Sequence, residues 1–193
     1  MNTTHSSTWL NATVLLMIIA TTVLISACSA GDNAYDLDFN ASADANLYNG
    51  RCTVDGSDGG EAVIGITQES VNLYSIPYDV IMSKLFPDAT ITQSGGSELN
   101  RHIRYRVVDN AGAQTLLSLY PPTWTLWADV DGTRRIVELS FVSVGKTEEM
   151  SWGTISKNGV LTLILSTAAY TTDGHDISTP VPMKITYTMS KSN

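Results

Sequence analysis

The sequence predicts an all-β domain, an antiparallel meander forming a closed or nearly closed barrel with one short helix; a two-sheet sandwich is the alternative. Three observations carry this. From Leu47 onward, apolar and polar residues alternate in short runs, the period of a half-buried strand. Turn pairs such as Asp131-Gly132 and Asn158-Gly159 separate those runs at hairpin spacing. Only Tyr78–Phe86 has helical spacing.

Tyr48–Val54, Glu61–Thr67 and Ser70–Tyr74 read as the first three strands, joined by a Gly- and Asp-rich loop and a tight turn near Gln68. Pro77 then opens a helix in which Val80, Ile81, Lys84 and Leu85 fall at helical spacing, and Pro87 ends it. That helix is expected to plug the end or edge of the sheet. Ser94–Glu98 reads as an exposed loop. In Arg101–Val108, Ile103, Tyr105 and Val107 face one way and His102, Arg104 and Arg106 the other, and Asp109-Asn110-Ala111-Gly112 leads into Gln114–Leu119.

Pro121-Pro122 marks a corner, because neither proline can donate to a ladder. Asp131-Gly132 then joins Trp124–Val130 to Thr133–Val144, and Asn158-Gly159 joins Met150–Lys157 to Val160–Thr171. Both pairs suit the positive φ angles of a two-residue type I′ turn. Leu161, Leu163 and Leu165 oppose Val160, Thr162 and Ile164, so both faces are apolar, as in a central strand. Met183–Met189 is the cleanest alternation of all. Three hairpins in succession favour a meander and hence a calycin-like barrel shape. A sandwich needs longer crossings, and only Pro87–Asn100 and Thr172–Pro182 are long enough.

Ahead of this domain lies a different kind of sequence. Val14–Ile25 is uncharged and mostly apolar, and it runs into Leu24-Ile25-Ser26-Ala27-Cys28. Those residues resemble the lipobox of bacterial lipoproteins. The resemblance implies that residues 1–27 are a signal peptide removed before Cys28, that the Cys28 thiol carries a diacylglyceryl group, and that the new N-terminus is acylated. A plain secretory signal or a transmembrane anchor would share the apolar core, but a span needs about 20 apolar residues, and Trp9–Ala27 approaches that only by including Asn11 and several hydroxyl residues. No Lys or Arg precedes the core, which departs from the usual signal pattern.

The leader contains none of the charged residues, so the net charge of −8 belongs entirely to the chain from Cys28 onward. Acidic residues concentrate between Asp32 and Glu61, and residues 28–46 read as the lipidated cysteine and a flexible acidic tether. Residues 47–193 then form a single β-domain, large enough for a core of its own. The acidic balance argues against nucleic acid as a partner. With Cys28 modified, Cys52 has no intramolecular partner and reads as a buried thiol.

A lipobox, an acidic spacer, an opening Tyr48-Asn49-Gly50 element, a strand pair and a Pro-led short helix together resemble the small uncharacterised lipoproteins of Bacteroidetes. Several of those families adopt calycin-like or related β-barrel domains. The resemblance implies a fold and an envelope location, with no catalytic residue to carry over.

Candidate chemistry is sparse. His102 lies between Arg101 and Arg104 on a strand's polar face, a solvated surface or an anion contact. His175 sits in Asp173-Gly174-His175-Asp176, a polar loop or, with its carboxylate neighbours, a base or metal ligand; no Gly-Xaa-Ser-Xaa-Gly elbow accompanies it. Asp55–Glu61 offers oxygens at alternate positions, yet lacks the twelve-residue calcium pattern and reads as a glycine-rich hairpin loop. No cofactor, metal or catalytic residue is therefore expected, and the chain reads as no enzyme. Tryptophans are the better lead: Trp124 and Trp127 lie on opposite faces of one strand and Trp152 on another, where a ring could bind a ligand or fill the core.

The expected function is that of a lipid-anchored protein of the bacterial cell envelope, at the outer membrane, attached through Cys28. It would act as a non-enzymatic binding module for a small apolar or glycan ligand, with Trp124, Trp127 and Trp152 as candidate ligand contacts. The alternative is a structural or assembly lipoprotein that meets an envelope partner protein.

Overall fold

The computed structural model describes residues 46–110, 113–143, 150–176 and 182–192. Cys28, the leader and the tether lie outside the described residues. The expected barrel is present. Eight antiparallel strands close on themselves: β1 (Asn46–Val54), β2 (Ser57–Ile66), β3 (Ser70–Leu73), β5 (His102–Asp109), β6 (Gln114–Tyr120), β9 (Trp152–Ser156), β10 (Val160–Thr172) and β12 (Lys184–Lys191). Closure is made by β12, which pairs with β10 on one side and with β1 on the other, from Tyr48 opposite Lys191 to Val54 opposite Ile185.

Alternation explains the lumen. Tyr48, Cys52, Ile64, Val71, Ile103, Leu117, Leu119, Leu163, Ile185, Tyr187 and Met189 all point inward and are buried in one contiguous cluster. An eight-stranded barrel is just wide enough to be filled by side chains, and here large ones fill it. Tyr187 is fully buried, and its hydroxyl donates to the Ser75 carbonyl at 3.1 Å. Beside it the Cys52 thiol is 1% exposed, and burial pushes its pKa up to about 12.

One of the three expected hairpins leaves the barrel. β7 (Trp124–Val130) and β8 (Thr133–Phe141) pair with each other, with β4 (Ile91–Gly96) and with the second half of β10, while β6 pairs directly with β9. β10 is long enough for both sheets: Val160–Ser166 pairs with β12 and Leu161–Ile164 with β9, and Thr167–Thr172 pairs with β8. The register shifts between Thr167 and Ala169, the kind of bulge that bends a strand at a corner. The short β11 (His175–Asp176) completes the outer sheet.

Several local expectations change. Ser94–Glu98, read as an exposed loop, is instead the end of β4 and a cap: Ser94 to Gly96 pair with Ala128 to Leu126, and Ser97 accepts a bond from Leu99 N to start a short 3-10 turn. The glycines that suggested a loop serve packing, since a Cβ on Gly95 would lie 2.6 Å from the Trp127 ring. At Asn158-Gly159 only Gly159 has positive φ, and Gly159 N bonds Ser156 O at 3.0 Å, so the turn spans Ser156–Gly159 and is not type I′. Asp131-Gly132 does have both φ angles positive, as expected, and so do Asp55-Gly56 and Asp173-Gly174. The Asp55–Glu61 run is therefore a tight turn leading into strand.

The helix α1 (Tyr78–Leu85) buries Ile81, Met82 and Leu85. It packs against β4 and touches β2, which fits the expectation of an element at the sheet edge. The 3-10 turn is tied to the outer sheet by Asn100, 1% exposed, which donates to Thr125 O at 2.9 Å and accepts from Thr125 N at 3.0 Å.

Candidate binding groove

Two grooves lined by described residues lie outside the barrel. The more varied one, about 530 Å³, is lined by Phe86, Ala89, Val130, Asp131, Thr133, Arg135, Thr172, Asp173 and His175. Register explains its floor. Arg135 opposes Ala128, Thr133 opposes Val130, and Thr172 opposes both Val137 and His175. Ala128, Val130 and Val137 are buried, so these partners share the inner face of the outer sheet. Phe86 and Ala89, just past α1, form the facing wall.

The charged groups are held in place by backbone bonds. Asp173 accepts from Ile136 N at 3.0 Å and from Arg135 Nη1 at 2.7 Å; the Ile136 bond first, then Arg135, holds its carboxyl below the usual carboxylate range. Asp131 accepts from Thr90 N at 2.9 Å, and its own N donates to Thr90 O at 3.0 Å. Those reciprocal bonds fix the wall carrying Ala89 against the turn just after Val130. His175 is exposed. The Thr172 hydroxyl oxygen is buried without a partner among the described residues.

The second groove, about 500 Å³, is lined by Ser57, Asp58, Asp79, Val80, Ser83, Lys84 and Pro87. Its acids are already engaged. Asp58 accepts from Gly60 N and pairs with Arg51 at 2.5 Å, and the Gly60 bond chiefly holds its carboxyl low; Asp79 is bonded by Ser94 Oγ. Among the described residues, no three His, Cys, Asp or Glu side chains gather as metal ligands would.

The three tryptophans do not converge. Trp124 is fully buried on the inner face of the outer sheet, edge-on to Phe141 with ring centroids 4.8 Å apart. Trp127, on the opposite face as its spacing requires, is half-buried over Gly95, with the Arg134 guanidinium 4.2 Å from its ring centroid. Trp152 is half-buried on β9 in the barrel wall, opposite Ser118 and Ile164. His102 contacts Asn72 Oδ1 at 2.7 Å on the barrel, away from the groove. Of the residues singled out from sequence, only His175 and its neighbour Asp173 line it. Arg135, Asp131, Thr172 and Phe86 come from three separate parts of the chain; the sequence pattern marked Asp131 as a turn residue, and nothing in it joined these positions to one another.

Among the described residues, no helix is long and apolar enough to cross a membrane. No protein-family model, curated protein or solved structure matches the chain.

Proposed function

We propose that this protein is a lipid-anchored component of the bacterial cell envelope, attached to the outer membrane through Cys28, and that it serves as a non-enzymatic binding module. The lipobox-like Leu24–Cys28 run supports the anchor, and the closed barrel is compatible with the calycin-like domains of the Bacteroidetes lipoproteins that the chain resembles. One observation carries the binding reading and moves its site. The barrel lumen is filled by its own side chains, whereas the outer sheet leaves an open groove with an apolar wall and a few convergent polar groups, the usual composition of a small-molecule site.

A second reading, assembly with an envelope partner protein, is favoured by Ile136, 51% exposed directly opposite Trp127 on the outer face of the same sheet. Native mass spectrometry of the full-length protein, extracted from host membranes in mild detergent, separates the two. A co-purifying small molecule that is lost in Arg135→Met supports the groove. A co-purifying protein, retained in Arg135→Met and lost in Ile136→Asp, would replace it with the assembly reading.

A further inference from the structure

We infer that the groove beneath the outer sheet takes an uncharged saccharide. This rests on the groove being the binding site. Charge is the first observation. Two carboxylates, Asp131 and Asp173, and one guanidinium, Arg135, line the same space, and Arg135 and Asp173 are already each other's counter-ion at 2.7 Å. An anionic ligand meets the Asp131 carboxylate, and a cationic one competes with Arg135 for Asp173. An uncharged ligand meets neither penalty.

Hydrogen-bonding capacity is the second. Each oxygen of Asp173 holds one donor and Asp131 Oδ1 holds another, while an ionised carboxylate has about four acceptor sites and a guanidinium five donors. Both acceptors and donors therefore remain, and His175 adds one of each when neutral. A sugar hydroxyl both donates and accepts, so a ring carrying several matches this mixed lining without breaking the ion pair. Because the carboxylates are fixed by backbone N–H groups, they are oriented before a ligand arrives.

Phe86 and Ala89 supply the third element, an apolar wall opposite a floor to which Val130 adds an apolar patch, suited to the C–H face of a pyranose ring. The volume, about 530 Å³, lies within the range of small-ligand sites and accommodates a short oligosaccharide.

Fluorescently labelled full-length protein in detergent micelles, applied to a printed glycan array with neutral, uronate-containing, sialylated and amino-sugar glycans, tests this. The expected result is binding to neutral glycans, weakened at least tenfold by His175→Ala and by Arg135→Met and unchanged by Arg51→Ala on the barrel surface. Binding confined to charged glycans, yet still lost in His175→Ala and Arg135→Met, would overturn the uncharged class and leave the groove standing. Neutral-glycan binding that survives both variants and fails in Trp127→Ala would overturn the groove itself. No binding to any glycan would overturn the saccharide inference, leaving the small-molecule reading to the mass-spectrometric test.

Discussion

The two cysteines make the anchor and the barrel core testable in one titration. On the proposed anchoring, Cys28 is a thioether and carries no thiol, so Cys52 is the whole thiol content of the mature chain. In the folded barrel that thiol is 1% exposed and its pKa rises from 9.0 to about 12. Three pH units are about a thousandfold in thiolate at about pH 8, and the thiolate is the reacting species. Reaction then waits on opening of the barrel, which marginal but ordinary stabilities of about 5–15 kcal/mol keep rare. With Ellman's reagent, membrane-extracted protein should show no fast thiol when native, one in denaturing guanidinium chloride, and none in denatured Cys52→Ala. A fast native thiol that persists in Cys52→Ala would mean that Cys28 is free and the anchor wrong. A fast native thiol that disappears in Cys52→Ala would refute the packing of Cys52 against Tyr187.

The same packing sets two further outcomes. The folded state holds the Cys52 proton more tightly than the unfolded chain does, so above about pH 9 the folded protein binds more protons and stability falls as pH rises, by about 1.4 kcal/mol per unit for that group until about pH 12. Burial raises Tyr187 well above 10.0 and acts in the same direction; denaturant melts across this range should show the decline, shallower in Cys52→Ala, and a flat profile would contradict it. Trp124→Ala should cost about 3–5 kcal/mol, the range for a fully buried large side chain, whereas Trp127→Ala should lose about 1 kcal/mol with its exposed cation–π contact. Equal losses in chemical denaturation would place the two rings wrongly.

Strands that face the lumen were legible because burial on one side imposes period two: Met183–Met189 and Arg101–Val108 fall within one or two residues of β12 and β5. β4 was hidden because Gly95 and Gly96 imitate a loop. They are small for a non-local reason, since Cβ atoms there would strike Trp127, Tyr78 and Asn100. Local pattern also identified β10 as central. It could not show that β10 serves two sheets, because its partners change from β9 and β12 to β8 and β11 through pairings set by distant segments. His175 was singled out for its carboxylate neighbours, yet Arg135, which lines the same groove, lies 40 residues away in sequence.

The outer sheet has an inner face that must be covered. That face is apolar at Trp124, Leu126 and Leu139, all buried, and α1 packs against β4 of the same sheet. The helix stops at Leu85 and Pro87 prevents its continuation. Beyond that point the inner face becomes mixed, with Thr133, Arg135, Thr172 and His175 beside the buried Ala128, Val130 and Val137. Loss of cover alone would explain polarity there. It does not explain why Phe86 and Ala89 still face the mixed stretch, or why the Asp131–Thr90 bonds hold that wall at a fixed distance from it. Simple solvation of the sheet end would leave the wall free to collapse onto the floor or drift from it. A fixed gap between an apolar wall and a mixed floor is what a ligand-binding surface requires, and in this chain it lies outside the barrel.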